Sequence, residues 1–241
     1  ISTRPDAVDS EICDILEKYH VTAVELGAQS TNDKVLAMNR RGHTREDIFR
    51  SARLLKERGF ELGLQMMTGL YGSNDEDSIG TARDIISLSP DTARIYPTVV
   101  IENTELAELY RNGEYRPQTP EEAAVLCAKI LPMFERAGIK VIRLGLHSGG
   151  DVEGSFVAGA YHPALREMCE GHIYFDIINR ALSGKEKGKY IIYVAPREVS
   201  KASGQRRCNI EKLRELGYEC RIKENAALSA RDITLEKVNL L

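Results

Sequence analysis

Glu25, Gln29, Gln65, Arg94, Arg143 and His147 are the side chains with the clearest chemical potential, and they occupy alternate positions in or just beyond four apolar runs. The intervening positions are Val24 and Leu26; Leu62, Leu64 and Met66; Ile95; and Ile142, Leu144 and Leu146. A period of two puts side chains on opposite faces of a strand, so the polar set shares one face. Gly27, Gly63 and Gly145 interrupt that face, and Met67, Tyr96 and Thr98 complete it. Charges in such a wall need partners, because unpaired burial is costly. Two readings satisfy that demand: a self-neutralising Glu25–Arg94–Arg143 network, or a cavity that holds a polar ligand. A closed eight-stranded barrel fills its lumen with branched apolar side chains, so a polar wall with glycines favours the ligand. The runs end in Gly27-Ala28-Gln29-Ser30, Thr68-Gly69-Leu70-Tyr71-Gly72, Tyr96-Pro97-Thr98 and His147-Ser148-Gly149-Gly150. Small residues there let backbone donors approach a ligand, at the strand ends where α/β folds place their sites. His147 could move a proton or touch substrate; its structural alternative is a hydrogen-bonded wall residue.

The other candidates are weaker. Cysteines stand at 13, 127, 169, 208 and 220. They match no zinc or iron–sulfur spacing and form no C-x-x-C pair, so we assign no metal ligand. The pattern reads as thiols in a reducing cytoplasm. His43, in Arg41-Gly42-His43-Thr44, fits a turn or cap better than a metal site. Met66 and Met67 read as core. Lys and Arg number 33 against 36 Asp and Glu, a net charge of −3 over 241 residues. That balance excludes a dominant basic nucleic-acid arm. No stretch is long and apolar enough to span a membrane, and no signal peptide opens the chain.

The polar face needs strands alternating with helices. The pattern predicts strands over Thr22–Gly27, Leu62–Met67, Ala93–Thr98 and Lys140–Leu146. Asp9 caps a helix with the stripe Ile12, Ile15, Leu16 and Tyr19. Thr44 opens a helix that buries Ile48, Ala52 and Leu55. Asn74 opens one that points Ile79, Ala82 and Ile86 inward and stops before Pro90. Thr119-Pro120-Glu121-Glu122 starts another, with a cap, a first-turn proline and a glutamate three residues after the cap. A helix over Pro163–Leu182 follows the glycine-rich loop. Strand–helix alternation implies an α/β fold with a parallel sheet or partial (βα) barrel over residues 1–183. Residues 184–241 form a small αβ domain: strands at Lys189–Ala195, Tyr218–Lys223 and Ile233–Val238, with helix over Val199–Leu216 broken at Gly204.

The runs Ser2-Thr3-Arg4-Pro5-Asp6, Glu25-Leu26-Gly27-Ala28-Gln29-Ser30, Arg41-Gly42-His43-Thr44, Gln65-Met66-Met67-Thr68-Gly69-Leu70-Tyr71-Gly72 and Tyr96-Pro97-Thr98-Val99-Val100-Ile101 together resemble the radical SAM proteins. The branch resembled is that of the Elongator catalytic subunit and the oxygen-independent coproporphyrinogen III oxidase-like proteins. The likeness covers residues 1–182. It implies a partial barrel of radical SAM type, with S-adenosylmethionine (SAM) and a [4Fe–4S] cluster as cofactors. The implied chemistry is reductive SAM cleavage to a 5′-deoxyadenosyl radical that abstracts hydrogen from a substrate. By the same resemblance Gln29 and Ser30 fall in the SAM-binding Gly-x-Gln-Ser motif, and Arg41 falls where a guanidinium reaches the SAM carboxylate. Gln65 stands where an aspartate meets the ribose, Ser2 where a glutamate is common, and the backbone at Tyr96 beside the adenine. The family's C-x-x-x-C-x-x-C loop is absent from the sequence. The expectation is therefore the carboxyl-terminal part of an enzyme, truncated at its amino end and inactive alone. The alternatives are an RNA-binding protein and a non-catalytic SAM-binding remnant.

The small domain adds one further expectation. Its strand–helix–Gly204-Gln205-Arg206-Arg207–helix–strand order resembles a KH core, whose GXXG loop clamps a nucleic-acid backbone. Arg207 replaces the second glycine, and Lys201, Arg206 and Arg207 cluster there. RNA or tRNA contact through this domain is the partner reading; a solvated charged surface is its alternative.

Overall fold

The computed structural model describes residues 1–146 and 154–238. The chain forms two compact units, 1–163 and 164–241.

The first unit is built on five strands, β1 (Ser2–Thr3), β2 (Ala23–Gln29), β3 (Glu61–Thr68), β4 (Thr92–Pro97) and β6 (Lys140–Leu144). They form one parallel sheet in the order β1-β2-β3-β4-β6. Helices α1 (Ser10–Lys18), α2 (Asp33–Met38), α3 (Arg45–Glu57), α4 (Asp75–Ser87), α5 (Glu105–Arg111) and α6 (Pro120–Arg136) connect them. A short antiparallel pair, β5 (Val99–Ile101) with β7 (Phe156–Gly159), lies beyond β4. One face of the main sheet is apolar, and Val24, Leu26, Leu62, Leu64, Met66 and Ile95 are buried there. Full burial of such side chains stabilises by about 1.5–3 kcal/mol each, which fixes the register of the polar face behind them. Capping boxes start α3 at Thr44, α4 at Asn74 and α6 at Thr119, as their sequences imply.

Three helix and strand faces differ from expectation. In α1 the buried pair is Cys13 and Leu16, whereas Ile15 and Tyr19 are exposed. Cys13 serves as the apolar residue three before Leu16 and rotates the stripe. In α4 the buried face is Ser78, Thr81, Ala82 and Ile85, because small hydroxyls fit close packing where Ile79 and Ile86 do not. On β6 a register shift pairs Val141 with Ala93 and Arg143 with Arg94, so Val141 is buried and Ile142 exposed.

The second unit contains α7 (Leu165–Leu182), α8 (Val199–Ser203) and α9 (Cys208–Glu215), packed with strands β8 (Gly188–Val194), β9 (Tyr218–Glu224) and β10 (Ile233–Lys237). The sheet order is β10-β8-β9. Strands β8 and β9 are parallel, and β10 is antiparallel to β8. Sequence position alone assigns helix α7 to the barrel. Yet Tyr174, Ile178 and Leu182 share one core with Tyr190, Ile192, Val194, Leu213 and Tyr218. The Tyr174 hydroxyl donates to Glu198 at 2.7 Å, as does Lys201 Nζ, so the buried carboxylate is satisfied. No helix among the described residues is long and apolar enough to cross a membrane.

Candidate functional site

The polar face of the first unit is a connected hydrogen-bond chain across four strands. Glu25 stands beside Gly63 in register, and Gly27, Gln65, Arg94 and Arg143 form the next row. A Cβ at position 63 would lie 2.6 Å from Glu25 Cγ. The glycine therefore makes the space through which Glu25 reaches its partners. Arg94 donates to Glu25 Oε1 through Nη2 at 2.6 Å and Nε at 3.1 Å. Gln65 Nε2 donates to Glu25 Oε2 at 2.6 Å and to Ser2 Oγ at 3.2 Å. Arg94 Nη1 reaches the Tyr96 hydroxyl at 3.2 Å. Bonds from Tyr96 and Glu25 outweigh desolvation and raise the Arg94 pKa. Ser2, Gln65 and Tyr96 are thus brought together, with Glu25 and Arg94 as the links. Gln65 Oε1 takes no partner among the described residues and stays available as an acceptor.

A bulge at Ala28 shifts the β2 register between Gly27 and Gln29, and Gln29 adopts a positive φ of 63°. The Gln29 amide folds back over Gly27, where an added Cβ would lie 2.7 Å from Nε2. Buried His43 secures the bulge: its Nε2 lies 3.1 Å from the Ala28 carbonyl. The cap expected near His43 is made by Thr44. His43 instead fixes the backbone that aims Gln29, a role with no sequence signal because it depends on a bulge. Ser30 does not join the polar face. Its hydroxyl is buried 3.4 Å from Thr81 on α4 and accepts from Asn32 N.

Arg41 follows α2 and reaches the ends of β3 and β4. It lines a 630 Å³ cavity with Met38, Met67, Tyr71, Thr98 and Leu106. Its Nη2 meets only the Met67 sulfur, at 3.0 Å, and its Nε is buried without a partner. Desolvation pushes the Arg41 pKa down. A guanidinium stays protonated in proteins, so this charge has no anionic partner among the described residues. Glu105, also on the cavity wall, is paired with Arg40 at 2.8 Å. A carboxylate entering the cavity would satisfy Arg41 with its fork geometry. The Arg41 cavity therefore fits a carboxylate, whereas Ser2, Gln29, Gln65 and Tyr96 are not among its lining residues. His147 lies outside the described residues.

The donor set for an iron–sulfur cluster is different. Such clusters need grouped thiolates. None of the five cysteines is in a disulfide, and four of them are buried. Burial pushes Cys127 up to about 12 and Cys220 up to about 11. Among the described residues no group of three or more His, Cys, Asp or Glu could hold a metal ion. This chain's own residues do not fit a [4Fe–4S] cluster.

Two family models match the chain: the radical SAM superfamily over residues 1–85, and the radical SAM C-terminal domain over residues 90–174. A tRNA uridine(34) acetyltransferase of Methanocaldococcus jannaschii is 36% identical over 142 residues, covering 56% of this chain and 26% of the relative. Human Elongator complex protein 3 is 34% identical over 143 residues, covering 55% of this chain and 25% of the relative. The chain thus aligns with about a quarter of the length of these curated relatives. The solved structure of archaeal Methanocaldococcus infernus Elp3 superposes with a TM-score of 0.62 at 28% identity, covering 73% of this chain and 45% of that one. These relatives favour the Elongator side of the expected branch over the coproporphyrinogen oxidase side.

Proposed function

Because this chain belongs to the radical SAM superfamily, we propose that its first unit supplies the SAM-binding part of a radical SAM active site. The observation that carries the reading is Arg41: a desolvated cation, unpaired at Nε, on the wall of a cavity at the carboxyl ends of the sheet strands. It would hold the SAM carboxylate. Gln29, held over Gly27, would contact the cofactor's polar groups, and Gln65 Oε1 would accept from the ribose. Ser2 and Glu25 keep the Gln65 amide oriented, the Arg94–Tyr96 pair closes the row, and the backbone at Tyr96 would flank the adenine. SAM, when bound, brings the adenosyl group that this superfamily turns into a radical. The cluster that starts that chemistry would need cysteines from outside this sequence, so these residues bind and orient but cleave no bond. We take tRNA, named in the relatives' activity, as the substrate class of the whole protein, in place of a coproporphyrinogen-like substrate. The buried thiols suit a reducing cytoplasm.

Equilibrium dialysis with labelled SAM tests the reading. A charge-assisted bond contributes about 1.5–3 kcal/mol, so Arg41→Ala should weaken SAM binding about 10-fold to 150-fold. Gln29→Ala should weaken it less. Unchanged affinity in both variants would remove the site.

A further inference from the structure

The second unit carries a groove outside the stretches matched by the family models. Its volume is 720 Å³, and its lining includes Arg207, Ile210 and Arg214 of the α9 segment together with Ile191, Arg221 and Val238. Arg207, Arg214 and Arg221 form no ion pair among the described residues, whereas Lys189 on the same wall is paired with Glu219 at 3.4 Å. Residues 164–241 hold 15 Lys and Arg against 11 Asp and Glu, in a chain of net charge −3. Positive charge is thus concentrated in this unit.

The turn that contributes Arg207 to the groove is held by close packing and side-chain hydrogen bonds. Gly204 takes φ +74°, and a Cβ there would lie 2.7 Å from Cys208 Sγ and 2.9 Å from Asn209 Cγ. Asn209 is buried and donates to the carbonyls of Gly171 and Ala202 at 2.8 and 3.1 Å. These bonds fix a turn in which Arg206 and Arg207 both have positive φ, 51° and 65°, and both are exposed. Non-glycine residues avoid that region, yet here two consecutive arginines occupy it and project into solvent. Strand β9 is the sheet edge beside the groove, so its outer backbone groups are open to pairing.

We propose that this groove binds single-stranded RNA, with Arg206 and Arg207 on the phosphates and the bases lying over Ile191, Ile210 and Val238. Unpaired arginines and apolar side chains share the lining. A single strand matches that mixture because it exposes charged backbone and flat bases together, whereas a duplex hides its bases. The proposal is independent of the SAM site. It rests on the tRNA reading only for the choice of RNA over DNA.

Fluorescence anisotropy of the whole chain with a labelled 12-nucleotide RNA of mixed sequence tests it. Arg206→Ala/Arg207→Ala should weaken binding at least 10-fold and reduce the salt slope by about 0.7 for each phosphate no longer neutralised. Arg221→Ala should weaken binding severalfold, and Arg83→Ala, in the first unit, should leave it unchanged. Circular dichroism should show every variant folded. Wild-type affinity in the double variant, equal affinity for the RNA as a duplex, or full competition by polyglutamate at equal charge would overturn the groove as an RNA site. Equal affinity for the deoxy 12-mer would overturn RNA as the occupant while leaving the SAM reading untouched.

Discussion

Arg41, Glu25 and Gln29 show how single residues set the chemistry of the sheet. Among the described residues Arg41 gains a thioether, a weak acceptor, in return for its lost hydration; an anionic ligand would recover the missing energy. Glu25 and Gln29 each depend on a neighbouring glycine, and the two glycines predict different outcomes. Gly63→Ala drives a Cβ to 2.6 Å from Glu25 Cγ, a mid-chain atom. It should break the Glu25–Arg94 pair and destabilise the fold by about 1–3 kcal/mol in urea unfolding. Gly27→Ala meets only the terminal amide of Gln29. It should change stability by less than about 0.5 kcal/mol and lower SAM affinity. Equal stability loss in the two variants would contradict this division. The polar alternation of Glu25, Gln65, Arg94 and Tyr96 is legible in the sequence, and the self-neutralising reading holds for Glu25 and Arg94, which pair with each other; Gln65 Oε1 has no partner among the described residues. Ser30 is not legible, because its motif position says nothing of the turn that buries its hydroxyl against Thr81.

The elements that aim these residues are fixed by local chemistry of unequal visibility. Helix starts at Thr44, Asn74 and Thr119 are written in four consecutive residues each, and all three form capping boxes. Thr44 matters most to the site, because it anchors α3 directly after the Arg41–His43 segment. Thr44→Ala removes the acceptor for Asp47 N and should cost about 1 kcal/mol of stability, read from the urea midpoint. A loss below about 0.3 kcal/mol would mean the cap adds little. Strands β1, β5 and β7 escape a sequence reading because two to four residues carry no period. The β2 and β6 bulges are invisible too, since one extra residue changes the face without changing composition.

At the scale of the molecule, the chain forms two compact units. The strand and helix pattern places the break at residue 184, but the core of the second unit extends through α7, where Tyr174, Ile178 and Leu182 are fully buried. A long amphipathic helix between two domains does not state in its sequence which core it joins. Residues 164–241 should therefore unfold cooperatively in urea as an isolated fragment, and residues 184–241 should not. Cooperative unfolding of the shorter fragment would show that α7 is dispensable to that core.

Arg41 is proposed to take a carboxylate, and one binding cycle tests that role. SAM and 5′-methylthioadenosine, which shares the nucleoside but has no carboxylate, are titrated against the wild-type chain and Arg41→Ala. The account predicts that the substitution weakens SAM by about 10-fold or more and leaves methylthioadenosine nearly unchanged. Equal losses for both ligands, or a loss for neither, would contradict it.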